Sequence, residues 1–238
     1  MLGRFHEVSL GTADIRQSVE FYESLGFTQA TTADTWSHPY GVLTDGRVFL
    51  GLHQRRMESP TLTFVKPGIA GFLAEFESRG IELTVCHTGD EVFNEIAFRD
   101  PFGQTLAVLE ARTYSPVTRS PSAESVCGYF EEFSMPVADF EAARQFWEPL
   151  GFVATEEADN PYPHLPLTSD HLDIAFHRPR TCDAPMLVFS EADMPARIAR
   201  MRELGIRTQS GLPRGLDSKA NALIEAPEGT MLLLLQAL

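Results

Sequence analysis

Apolar and polar residues alternate along residues 5–11, placing Val8 and Leu10 on one face of a strand and Glu7 and Ser9 on the other. The period then lengthens. Ile15, Val19 and Tyr22 recur at helical spacing behind Asp14, whose side chain suits a helix cap, and Gly26 stops the helix. Short strands follow near residues 40–43 and 48–53, with Asp45-Gly46 as the hairpin turn between them. The order returns after Pro60: a strand at 61–65, a helix at 69–78 with Phe72, Leu73 and Phe76 on one face, then strands at 82–86, 95–98 and 105–109. Near the end of the chain, strands at 186–190, 222–224 and 231–235 accompany a helix at 192–203.

This recurrence is a repeat in the residues themselves. Glu7-Val8-Ser9-Leu10-Gly11-Thr12-Ala13-Asp14 aligns with Glu132-Phe133-Ser134-Met135-Pro136-Val137-Ala138-Asp139 at an offset of 125 residues. The same offset carries Phe21-Tyr22 onto Phe146-Trp147 and Leu25-Gly26-Phe27 onto Leu150-Gly151-Phe152. One residue later, Pro101-Phe102-Gly103 falls on Pro227-Glu228-Gly229. The expected organisation is two tandem domains, 1–113 and 127–238, joined by a Ser- and Pro-rich linker at 114–126. Each domain holds two βαβββ units, so the fold class is α+β.

Composition narrows the partners. The net charge of −14 repels a phosphate backbone, which argues against nucleic acid. Cys86, Cys127 and Cys182 form no CxxC pair and read as reduced thiols. No apolar run approaches the ~20 residues that span a bilayer, and the first residues lack the apolar core of a signal peptide. The expectation is a cytoplasmic monomer or homodimer whose partner is a small molecule, not a membrane.

Residues 7–27 and 132–152 (strand, Asp, helix ending in an aromatic pair, then Leu-Gly-Phe), together with Asp100-Pro101-Phe102-Gly103, resemble the vicinal-oxygen-chelate superfamily of glyoxalases, bleomycin-resistance proteins and dioxygenases. Ala226-Pro227-Glu228-Gly229 departs from that pattern in having lost the Asp. The resemblance implies cupped mixed sheets with helices on the convex side. It also implies, for enzymes, one divalent metal held on the concave face by His, Glu or Gln from first and last strands. The first-strand slots hold Glu7 and Glu132, the last-strand slots hold Ala107 and Leu233, and the slots of the second units fall at Pro60 and Pro185. The fourth-strand slots fall on apolar residues near 50–52 and 174–175. Two carboxylates stand where three or four ligands are needed, so no cofactor is expected.

The remaining concave positions suggest an apolar, aromatic cup. Phe5 and Phe130 are expected to project with Glu7 and Glu132, and Trp36, His38, Tyr40, Tyr162 and His164 to rim the cups. His53 and His177 end matching strands; each either approaches a Glu across a cup or is a solvated strand-end residue. Two functions compete. The first is a binder of an aromatic or cationic small molecule, an antibiotic or metabolite. The second is a lyase, isomerase or dioxygenase-type enzyme in which Glu7 or Glu132 is a general base, or a ligand of a non-standard divalent metal site. The balance leans away from catalysis.

Overall fold

The computed structural model describes residues 2–32, 36–111 and 125–237. The linker expected at 114–126 falls, but for its last two residues, outside the described residues. Two mixed sheets carry the fold, one of eight strands and one of seven.

In the first sheet, β1 (Arg4–Gly11), α1 (Ile15–Ser24), β2 (Thr28–Ala30), β3 (Tyr40–Thr44) and β4 (Phe49–His53) form one unit. β5 (Thr61–Lys66), α2 (Leu73–Ser78), β6 (Leu83–His87), β7 (Glu95–Arg99) and β8 (Thr105–Glu110) form the next. The helix expected over 69–78 begins instead as a 3-10 turn at Ile69–Phe72. β1 lies beside β5 antiparallel, which joins the two units at the middle of one sheet.

The second sheet repeats this with β9 (Tyr129–Pro136), α3 (Phe140–Trp147), β10 (Val153–Ala154), β11 (His164–Thr168) and β12 (Ile174–His177). β13 (Met186–Glu191), α4 (Met194–Glu203), β14 (Ala222–Glu225) and β15 (Met231–Gln236) complete it. Its fourth unit has one strand fewer, reduced to an isolated bridge from Thr208 to Ile224. The halves therefore each close their own cup, β1 beside β5 and β9 beside β13. Asp14 and Asp139 cap α1 and α3 as their positions in the repeat require, each accepting from two backbone amides of the first turn.

One feature of both central strands departs from simple alternation. The register slips between Phe5 and Glu7 against β5, and between Val188 and Phe189 against β9. These bulges turn Phe5 and Phe130 away from the cups into the helix-side core, where Phe5 meets Phe64 and Phe130 meets Phe189 edge to face. The alternation pattern had placed both beside the carboxylates.

The helix-bearing faces of the two sheets share one continuous apolar core, which includes Val8, Leu10, Tyr22, Phe76, Phe133, Trp147, Phe189 and Ile198. The cups lie on the opposite faces. Two polar contacts cross this core at equivalent places. Trp147 Nε1 donates to Asp100 Oδ2 at 3.1 Å, and Tyr22, its counterpart, donates through its hydroxyl to Glu228 Oε1 at 2.6 Å. Ser18 Oγ donates to the other oxygen of Glu228 at 2.8 Å. The carboxylate absent at Ala226 is thus supplied two residues later by Glu228. Among the described residues no helix is long and apolar enough to cross a membrane.

Removing Glu228 leaves two donors at the seam without their acceptor. We expect Glu228→Ala to lower the free energy of unfolding by about 1–3 kcal/mol. Glu225→Ala, at an exposed strand end, should stay within about 0.5 kcal/mol. Urea titrations of both variants measure the difference.

Candidate functional site

Register, not sequence spacing, decides which side chains meet on the cup floors. In the first half Glu7 lies opposite Thr63, and Thr63 beside Ala107. In the second, Glu132 lies opposite Val188, and Val188 beside Leu233. Ala107 and Leu233 therefore do share a cross-strand row with the two glutamates. The facing positions are Thr63 and Val188, not Pro60 and Pro185, because the antiparallel pairing of the central strands carries those prolines off the end of the row. The next row holds Ser9 between Gly51 and Thr61, and Ser134 between Ala175 and Met186.

The first cup consumes its carboxylate. Glu7 is buried and accepts three hydrogen bonds: from Ser9 Oγ at 2.7 Å, from the Tyr40 hydroxyl at 2.6 Å and from His53 Nε2 at 3.1 Å. His53 in turn meets His38 Nε2 through its Nδ1 at 2.9 Å, and Thr63 Oγ1 meets Ser9 Oγ at 2.7 Å. Burying a carboxylate is tolerable when its lone pairs are filled in this way. The arrangement also needs room. A Cβ on Gly51 would stand 2.0 Å from Glu7 Oε1, so only glycine lets the carboxylate lie against β4.

The second cup does the opposite. The position of Gly51 is taken by Ala175, which carries the methyl group that Gly51 lacks. His177 is turned away as well: its Nε2 faces the Cys182 carbonyl at 3.1 Å and its Nδ1 faces Ser134 Oγ at 2.8 Å. A carbonyl only accepts, so Nε2 carries the proton and Nδ1 receives one from Ser134. Glu132 is left on the wall of a cleft of ≈ 620 Å³ that also meets Tyr162, His164, Val188, Leu216 and Leu235. Burial first, then the nearby charges of Glu131 and Asp173, push its carboxyl up to about 8. Burial likewise brings His177 down to about 4 and raises the Tyr162 phenol.

The rim residues fall in matched pairs with a swap. Tyr40 lies across from His53, and His164 across from His177. Two residues earlier the order reverses, with His38 in the first half and Tyr162 in the second. Trp36 packs on His38, Tyr40 and His53, with Arg55 over its ring. Repeat spacing alone could not separate His53, which reaches Glu7, from His177, which does not. The signal that separates them is the Gly51 and Ala175 difference, a residue type and not a motif.

No protein-family profile and no curated protein sequence matches the chain. Solved structures do. A homoprotocatechuate 2,3-dioxygenase variant from Brevibacterium fuscum superposes with a TM-score of 0.66 at 17% identity, over 98% of this chain and 70% of that one. A catechol 2,3-dioxygenase gives 0.60 at 13% identity, over 98% and 87%. BphC, a halotolerant catechol dioxygenase, gives 0.61 at 14% identity, over 98% and 86%.

These neighbours correct the expectation that no cofactor is involved, because such extradiol dioxygenases depend on Fe(II) and point to a metal. Among the described residues no group of three His, Cys, Asp or Glu side chains is placed to hold a metal ion. Both nitrogens of His53 are engaged by Glu7 and His38, and the row partners of the glutamates are Thr63, Ala107, Val188 and Leu233. This donor set does not fit an iron site of two histidines and a carboxylate.

Two outcomes follow. Gly51→Ala should cost about 1–3 kcal/mol of stability through overpacking. Gly41→Ala, where the nearest atom to a new Cβ is 4.0 Å away, should be near neutral in the same denaturation assay. For pH, Glu132 titrates above its unfolded value, so its contribution to stability is complete below the ordinary carboxylate range and is lost as pH rises through about 8. His177 titrates below its unfolded value, so its contribution holds above the ordinary imidazole range and is lost as pH falls toward about 4. Denaturation profiles should lose their downward slope between the ordinary carboxylate range and about 8 in Glu132→Gln, a difference on the order of 2–4 kcal/mol.

Proposed function

We propose that this chain, which carries the vicinal-oxygen-chelate fold, binds a small organic cation with an apolar or aromatic body in the cup of its second half. The observation that carries this reading is Glu132, a largely buried carboxyl with no hydrogen-bond partner among the described residues, on the wall of a cleft lined by both apolar and acidic side chains. Among the described residues, the charged side chains lining that cleft are Glu131, Glu132 and Asp217, with no Lys or Arg. A cation is the charge such a lining accepts.

Binding on this reading is coupled to a proton. Near neutral pH the free site holds Glu132 mostly as the acid, since desolvation disfavours the carboxylate. An ammonium group brought beside it reverses that balance, and the proton leaves to solvent as the ion pair forms. The apolar body of the ligand would then lie along Val188, Leu216 and Leu235, with the Tyr162 ring closing one side.

A second reading rests on the same carboxyl. A group that titrates near 8 beside an open cleft has the strength of a general base at neutral pH, and Glu132 could abstract a proton from a bound carbon acid. Turnover abolished by Glu132→Gln, with the ligand still bound, would favour this enzyme over the binder.

Isothermal titration with a panel of aromatic amines and their neutral alcohol analogues tests the primary reading. We expect amines to bind with affinity that climbs as pH rises toward 8 and with about one proton released. Glu132→Gln should weaken the amines by roughly tenfold or more and leave the alcohols unchanged. Amine binding that ignores both pH and this substitution would refute it.

A further inference from the structure

The two cups share a backbone and differ in chemistry. The second-cup floor is Val188, Leu233, Met186 and Met231, with Leu223 next in the row. The matching positions of the first are Thr63, Ala107, Thr61 and Thr105, with Ala97 next. Ala97 and Ala107 are partly exposed where Leu223 and Leu233 are buried, so the alanines leave the first floor open. Two polar atoms of this half, Thr105 Oγ1 on the floor and Trp36 Nε1 at the rim, are buried without a hydrogen-bond partner. Unpaired buried polar groups of this kind are rare in folded proteins, and each calls for an explanation.

The hydrogen bonds around Glu7 have a fixed direction. A carboxylate only accepts, so His53 donates from Nε2 to Glu7. His53 Nδ1 is then a bare acceptor and must receive a proton from His38 Nε2. That assignment leaves His38 Nδ1 with its lone pair free, at a partly exposed side chain. Burial, then the charge of Arg55 and the proximity of His53, lower His38 from its ordinary value, so the imidazole of the free site is neutral. Arg55, over the Trp36 ring at 5.5 Å, places a positive charge beside it.

We propose that the first cup is a separate site for a small acidic molecule, a phenol, enol or carboxylic acid, whose proton His38 accepts. The ligand O–H bond breaks and its proton goes to His38 Nδ1. The resulting oxyanion stays beside Arg55, with Trp36 Nε1 and Thr105 Oγ1 as the donors available to the rest of the molecule. His38 keeps its Nε2–H bond to His53, and His53 keeps its own to Glu7. The imidazolium is thereby steadied by a carboxylate one residue removed, and the ligand carries the balancing negative charge. The site requires nothing of Glu132 or the second cup.

The test uses 4-nitrophenol, which turns yellow on ionising, at a pH just below its own transition. Adding the wild-type protein should produce a saturable phenolate band. His38→Gln retains an amide donor for His53 but no base, and should lose that band by roughly tenfold or more at an unchanged melting midpoint. Ala107→Leu, which fills the floor, should lose it as well; Ala107→Ser, which leaves the floor open, should keep it. No band with the wild-type protein, a full band in His38→Gln, or a full band in Ala107→Leu would each overturn the proposal.

Discussion

Each cup carries a carboxylate on its central strand, and the need to satisfy that group organises what surrounds it. A carboxylate taken out of water must find donors, hold its proton or await a counter-ion. Glu7 takes the first course: Ser9, Tyr40 and His53 close around it, and Gly51 gives up a side chain to make the space. Glu132 takes the second. Ala175 stands where the first half has Gly51, His177 is committed to Ser134 and Cys182, and the group is left as an acid over an open cleft. Hydroxyls on one floor and methionines and leucines on the other accompany the two outcomes.

Much of the fold was legible because it is written in periodicities that local physics enforces. Alternation in residues 5–11, helical spacing behind Asp14 and the 125-residue offset led to the strands, the helices and the repeat. The failures have equally local causes. Bulges beside Glu7 and Glu132 reversed the faces of Phe5 and Phe130, and a bulge leaves no mark in a pattern of period two. The facing positions at Thr63 and Val188 were missed because antiparallel register depends on where two strands begin to pair, which no single strand encodes. The candidate site was legible as a list and not as an arrangement. Glu7, His38, Tyr40 and His53 could each be named, but the direction of their hydrogen bonds belongs to three dimensions.

The seam between the halves shows the same economy. The resemblance marked Ala226-Pro227-Glu228-Gly229 as a turn that has lost its Asp. What replaces it at the interface is Glu228, longer by one carbon and placed two residues on, reaching Tyr22 where Asp100 reaches Trp147. Phenol and indole each offer a single donor, and each half presents it to a carboxylate of the other. Position within the repeat is therefore a weaker guide to partnership than the geometry of the donor.

That seam has a consequence for how the molecule can change over generations. Two cups built from separate copies of one gene product would be bound to vary together, since any codon change would strike both at once. Here the halves are stitched by a shared core and encoded side by side, so a mutation at codon 51 leaves codon 175 untouched. A lineage holding this arrangement can keep one vessel in service while the other drifts toward a new cargo. The opposite temperaments of Glu7 and Glu132 are what such a licence would leave behind.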